Sequence, residues 1–380
     1  MAQDKTASGG TTAGSEITAG IGTAAGGGTA AERLGVRLPS PVHRLVDERT
    51  ERHGVRLLLK RDDLISRLVP GNKWRKLAHN LVAATAGGQR TLLTFGGAYS
   101  NHLRAVAAAG QACGFATIGV VRGEPYDPLN WSLARARELG MTLTYLDRTT
   151  WRRKTSPEIT DALRHRFGDF FLIPEGGSNP LALPGCAEMV AEIVEPFDVI
   201  CCPVGTGGTL AGIVSALSAA PAGTAGPTSP AGVLSPTGPA SPTGATGPTA
   251  RPDQLRPRPR AIGFAALKGG GYLADEVAAL IDASGPMPET CRVEEPVKVD
   301  WSVETDFHFG GFARTTAELD RFIADFGVRH GIRLDRIYVG KMLAGLFTMI
   351  AAGRFAPGTT IVAVVTGPAE EPDESYPQAD

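Results

Sequence analysis

Eight short apolar runs, separated by stretches of helical periodicity, restrict what this chain can fold into. They lie at Leu57–Leu59, Thr91–Thr94, Thr117–Val121, Leu143–Leu146, Phe170–Ile173, Val199–Pro203, Ala261–Ala265 and Thr360–Val365. Each is too short for a buried helix, and most are rich in β-branched or large apolar side chains, so they read as buried strands. Helical patterns at roughly 73–86, 100–113, 128–139, 182–194, 207–218, 271–283, 314–328 and 340–352 fall between many of them. Such alternation predicts an α/β fold, with mostly parallel sheets covered on both faces. In sheets of this kind ligands bind at the carboxyl ends of the strands, so the loops leading from strand to helix are where chemistry belongs.

Composition sets the outer bounds. With 380 residues, 42% hydrophobic and 20% charged, the chain can bury a sizeable core and ordinarily forms two domains. A formal net charge of -1 gives no global reason to expect nucleic acid or an anionic membrane as partner. No apolar run is long enough to span a bilayer, and Met1-Ala-Gln-Asp-Lys5 lacks the features of a secretory signal. The five cysteines include one close pair, Cys201-Cys202, which suits neither a disulfide framework nor a zinc site. Buried thiols in a reducing cytoplasm and no metal are therefore expected. Residues 1–30 are rich in Ala, Gly and Thr and have almost no large apolar side chains, so a disordered tail is expected there. Residues 221–259 alternate proline with small residues and read as a surface insertion.

Several places in the framework carry possible chemistry. Gly71-Asn72-Lys73-Trp74-Arg75-Lys76 puts the Lys73 amine at the start of a helix, where helix-end charge and partial burial would lower its pKa toward that of a nucleophile. Phe95-Gly-Gly-Ala-Tyr-Ser100-Asn101-His102 leads from a strand into a helix. Ser100 and Asn101 are good helix caps there, and alternatively they face a ligand, with Asn101 bonding an oxygen and Ser100 handling a proton. His102 could serve as acid or base or simply pack. Gly205-Thr206-Gly207-Gly208-Thr209 follows a strand and opens a helix, so its N–H groups can converge on an anion such as a phosphate. It has neither the Walker Gly-Lys-Ser/Thr nor the dinucleotide glycine spacing. Thr366 ends the last strand, and Tyr338 stands at the start of a helix.

Taken together and in this order, Gly71 to Leu77, Phe95 to His102, Ile173-Pro-Glu-Gly-Gly-Ser-Asn179, Gly205 to Thr209 and Tyr338-Val-Gly-Lys341 resemble a known family. It is the pyridoxal-phosphate-dependent 1-aminocyclopropane-1-carboxylate deaminase and D-cysteine desulfhydrase family, of the tryptophan synthase β-type fold. The resemblance spans about Leu38 to Gly367 apart from the Pro-rich insertion. It implies pyridoxal 5'-phosphate as cofactor and two doubly wound domains: a large one from residues 31–76 and 185–368, and a small one from 77–184, with a tail at 369–380. It further implies Lys73 as the Schiff-base lysine, Gly205, Thr206, Gly207, Gly208 and Thr209 as the phosphate loop, and Asn101 beside the cofactor's ring hydroxyl. Ser100 is implied near the substrate carboxylate, Tyr338 as the active-site tyrosine, and Thr366 facing the pyridine nitrogen. The implied partner is a small amino acid, and the implied assembly a homodimer.

Two departures bear on the reaction. In the deaminases a glutamate follows the active-site tyrosine and faces the ring nitrogen, whereas Val339 stands here; Phe312 stands where relatives commonly have a second tyrosine. A neutral Thr366 leaves the ring a weaker electron sink, which suits β-elimination of a good leaving group. The main expectation is therefore a lyase resembling D-cysteine desulfhydrase that releases ammonia and a 2-oxo acid. The alternatives are a 1-aminocyclopropane-1-carboxylate deaminase and a vestigial pyridoxal-phosphate-binding protein.

Overall fold

The structure, a computed structural model, describes residues 28–69, 71–125, 127–219, 257–285 and 298–367. Nearly all of the expected N-terminal tail and insertion, and the whole 369–380 tail, lie outside these residues. At the end of the expected tail, Thr29 caps the helix Ala30–Arg33, its hydroxyl accepting from the Glu32 N–H while the Glu32 carboxylate accepts from the Thr29 N–H. This reciprocal pair satisfies two donors that a helix start otherwise leaves open.

The strands are β1 (Val42–Leu45), β2 (Arg56–Lys60), β3 (Thr91–Gly96), β4 (Ala116–Arg122), β5 (Met141–Leu146), β6 (Phe171–Ile173), β7 (Val199–Val204), β8 (Arg260–Ala265), β9 (Trp301–Glu304) and β10 (Thr360–Val364). The described residues divide into two compact units: residues 28–38 with Ile65–Gly177, and Pro39–Leu64 with the described residues from Ser178 on. Residues 31–38 and 65–76 group with the first unit because Leu34, Ile65, Val69 and Trp74 join the apolar cluster of Leu92, Leu103 and Leu133.

The first unit is built on a four-stranded, wholly parallel sheet in the order β5-β4-β3-β6. Neighbouring residues on one strand serve opposite faces: Leu92 and Val121 enter one core, Leu93 and Val120 the other. The second unit has six strands in the order β1-β2-β10-β7-β8-β9, parallel throughout except for β1. Leu57, Leu59, Cys201, Ile361 and Ala363 fill the core on one face; Leu58, Ile200, Cys202, Val362 and Val364 fill the other. A strand buried on both sides has no polar face to show, and so its sequence is continuously apolar.

All eight expected strands form. The two that the sequence did not reveal, β1 and β9, are the edges of the larger sheet, and their partly exposed residues, such as His43, Arg44 and Ser302, break the apolar run. The helix Pro157–Phe167 also escaped notice. Leu163 is its only buried residue, so it has almost no apolar stripe, and its signal is the start signature Ser156-Pro157.

Candidate active site

In the first unit the candidate residues collect at the carboxyl ends of β3 and β6, which are hydrogen-bonded neighbours. Beyond β3, Ser100 caps the helix Asn101–Cys113, its hydroxyl accepting from the Leu103 N–H at 3.3 Å. The capping role is therefore real, and it leaves the hydroxyl proton free to donate elsewhere. Asn101 is the first helical residue, and its Oδ1 accepts from the Arg104 guanidinium, whose central carbon lies 4.0 Å from the centre of the Trp131 ring. That contact turns the carboxamide so that its NH2 is the group on offer; among the described residues it donates to none.

Beyond β6, Gly176 and Gly177 tie in the helix Asn72–Ala86. Lys76 Nζ donates to the Gly176 carbonyl at 3.2 Å, and a Cβ on Gly177, where φ is +68°, would lie 3.0 Å from His102 Cε1. Lys73 thus stands in the first turn of a helix anchored at this edge, partly exposed, with Nζ donating to Asn72 Oδ1 at 3.1 Å. His102 is 2% exposed and bonded through Nε2 to Thr94 Oγ1 at 2.9 Å. Burial, reinforced by the charges of Lys73 and Lys76, pushes its pKa well below the usual histidine value. It is a packed, neutral ring, which decides against its use as a base.

In the second unit, β10, β7 and β8 lie side by side and parallel. The glycine-rich loop leaves β7 and enters the helix Gly208–Ala219, while Thr366 follows β10 directly alongside. Ser178 buttresses the loop: its hydroxyl pairs with Thr206 Oγ1 at 2.6 Å and accepts from the Gly208 N–H at 3.3 Å. A Cβ on Gly205 would sit 3.1 Å from Tyr338 Cε1, and one on Gly208 would sit 2.6 Å from Ser178 Oγ. Side chains are thus excluded where the backbone donors of the loop and of the first helical turn are presented. Thr209 and Thr366 are buried, 4% and 7% exposed, and the Thr366 hydroxyl makes no hydrogen bond to another described residue.

Tyr338 precedes the helix Val339–Ala351. Asp335 fixes it there by accepting the N–H groups of Ile337, Tyr338 and Val339 at 3.0, 2.6 and 2.9 Å. The ring of Tyr338 meets that of Phe312 edge to face at 6.1 Å. Val339 is fully buried in the apolar cluster that holds Phe326, Met342, Leu343 and Val365.

Comparison with known proteins gives the family. A family profile described as pyridoxal-phosphate dependent enzyme matches residues 36–367. The chain belongs to that family. Its cofactor is accordingly pyridoxal phosphate. It is 26% identical to a Pyrococcus furiosus protein named as a candidate 1-aminocyclopropane-1-carboxylate deaminase, over 83% of this chain and 85% of that one. It is 24% identical to the D-cysteine desulfhydrase of Klebsiella pneumoniae, over 87% of this chain and 91% of the relative. Among solved structures, an ACC deaminase homologue superposes with a TM-score of 0.65 at 26% identity, covering 87% of this chain and 90% of the other.

The residues present fit such a cofactor. A loop cleared of side chains at a helix start suits a phosphate, the Asn101 NH2 suits a ring oxygen, the Thr366 hydroxyl suits a ring nitrogen, and Lys73 supplies an amine. Sequence reasoning named these residues but missed their supports, Ser178 and Asp335. Ser178 lies in a motif whose role was not apparent, and Asp335 had the faint signal of an acidic residue just ahead of a helix start. Gly208→Ala should force Ser178 aside and weaken binding of pyridoxal phosphate by about tenfold or more, roughly 1.4 kcal/mol. Equilibrium dialysis against the cofactor checks this, and unchanged affinity would remove the loop from the phosphate site.

Proposed function

We propose that this enzyme cleaves a small amino acid by β-elimination in the manner of a D-cysteine desulfhydrase, releasing ammonia and a 2-oxo acid. The observation that carries the choice of reaction is Val339. The position after the tyrosine is apolar and fully buried, so the deaminase carboxylate is missing, and the buried Thr366 hydroxyl is the polar group at the end of β10. Bound pyridoxal phosphate supplies an aldehyde for covalent attachment and an electron-poor ring that weakens the bonds at the substrate α-carbon.

The protein's part follows from its own residues. Lys73 Nζ would hold the cofactor covalently and, as a free amine, would take the substrate α-proton as a general base. The N–H groups of Gly205 to Thr209 would hold the phosphate, and the Asn101 NH2 would donate to the ring oxygen. Ser100, with its oxygen engaged by Leu103, donates its proton toward the substrate carboxylate. Thr366 would be a neutral partner for the ring nitrogen, and Tyr338 would order the substrate beside the phosphate loop. Sulfide from cysteine leaves more readily than a ring carbon, which matches the weaker electron demand of such a site.

The enzyme acts as a homodimer in the cytoplasm on this reading. The buried thiols of Cys113, Cys186, Cys201 and Cys202 support a reducing compartment. One substrate panel tests the assignment. Purified holoenzyme given D-cysteine, L-cysteine, D-serine and 1-aminocyclopropane-1-carboxylate should release sulfide, ammonia and a 2-oxo acid from D-cysteine. Ammonia and 2-oxobutanoate from the cyclopropane substrate, without sulfide from D-cysteine, would reverse the choice.

A further inference from the structure

Lys341 carries a charge into the interior of the second unit, where it is 1% exposed. It has no ion-pair partner among the described residues. Its ammonium donates instead to two carbonyls, Gly311 at 2.6 Å and Ala266, just past β8, at 3.2 Å. A buried lysine satisfied only by carbonyls is costly to keep, and Met or Leu would fill its volume with less penalty.

What it grips is a strained loop. Phe309 and Ala313 have φ of +46° and +56°, and Gly310 and Gly311 between them have +93° and +115°. Two non-glycine residues in the left-handed region persist only where their surroundings hold them. The loop's own bonds, Gly311 N–H to the His308 carbonyl, Arg314 N–H to the Gly311 carbonyl and Gly310 N–H to His308 Nδ1, are local; Lys341 ties the Gly311 carbonyl to that of Ala266, just past β8. At the tip stands Phe312, 44% exposed, with its ring against Tyr338, and Tyr338 in turn lies against Gly205. Lys341 and Tyr338 are three residues apart on adjoining turns, so one helix start holds both the tyrosine and the clamp.

We propose that Lys341 is a positioning residue: by clamping the Gly311 carbonyl it holds the 309–313 loop so that Phe312 and Tyr338 form an aromatic wall for the substrate's side chain. Such a wall favours a sulfur-bearing or aliphatic side chain over a charged one. The proposal rests on the reading that Tyr338 belongs to the active site.

The test compares wild-type holoenzyme with Lys341→Met, Phe312→Ala and the double variant. Lys341→Gln, which retains an amide donor, is a second probe should Lys341→Met fail to fold. Hydrogen exchange of the peptide spanning 306–315 should quicken by about tenfold in Lys341→Met, with the sheet strands unchanged. With D-cysteine as probe, KM should rise about tenfold while kcat changes by less than about threefold. The double variant should be no worse in kcat/KM than Phe312→Ala alone, because both act through one wall. Unchanged exchange would overturn the clamp. Faster exchange with unchanged KM, or losses that multiply in the double variant, would overturn the positioning role. Absence of D-cysteine turnover in the wild type would count against the β-elimination reading, and the exchange measurement would still decide the clamp.

Discussion

Lys73→Ala is expected to abolish turnover and the near-visible absorption of the bound cofactor while leaving the fold intact. The side chain is partly exposed and stands in the first turn of its helix, where Nζ donates to the neighbouring Asn72. Truncating a partly exposed side chain should change stability by no more than about 1 kcal/mol. The chemistry loses both the covalent holder and the base, which act as a unit, so the remaining rate should be at least about a thousandfold lower. Absorbance of the reconstituted variant, its melting temperature and single-turnover rates check the three parts. A variant that kept the absorption band would show that another amine holds the cofactor. The phosphate loop does not depend on this lysine, so the variant should still bind pyridoxal phosphate reversibly.

Val339→Glu is expected to destabilise the protein severely. From the sequence, a glutamate here should stand near the ring nitrogen and strengthen the electron sink. The structure attaches a large cost to that gain, because Val339 is fully buried in an apolar cluster and its N–H is already held by the Asp335 carboxylate. A carboxylate placed there without a partner, and beside another carboxylate, should cost about 3–5 kcal/mol. Burial would raise the pKa of the new carboxyl group, which fixes the sign of the pH dependence. The deficit should be smallest below the unfolded-state carboxyl value of about 4.3 and grow as pH rises toward the raised folded value. Urea denaturation at about pH 5 and about pH 8 should therefore show the larger loss at the higher pH. A variant as stable as the wild type, with increased opening of 1-aminocyclopropane-1-carboxylate, would instead place this side chain at the cofactor.

The supports of the candidate site explain why small changes in it should matter. Ser178 holds the hydroxyl of Thr206 and one helix-start N–H, and Asp335 takes three successive N–H groups, those of Ile337, Tyr338 and Val339. Neither residue needs to touch a substrate to set where the loop donors and the Tyr338 ring stand.

The strands β2 to β8 and β10, the α/β class and the candidates Lys73, Ser100, Asn101, the 205–209 loop, Tyr338 and Thr366 were legible in the sequence. A doubly covered parallel strand must be apolar along its whole length, and glycine or a small polar residue between strand and helix marks where backbone donors are exposed. These are local constraints, and local constraints leave local signatures. The edge strands β1 and β9 and the helix Pro157–Phe167 were not legible, because half-exposed elements need no continuous apolar pattern. Only the tertiary structure decided that His102 is a neutral packing residue, that Val339 is sealed in the core and that Lys341 is buried on the carbonyls of Ala266 and Gly311. In each case the deciding quantity is what surrounds the side chain, and those surroundings come from segments distant in the chain, which no stretch of sequence around the residue can specify.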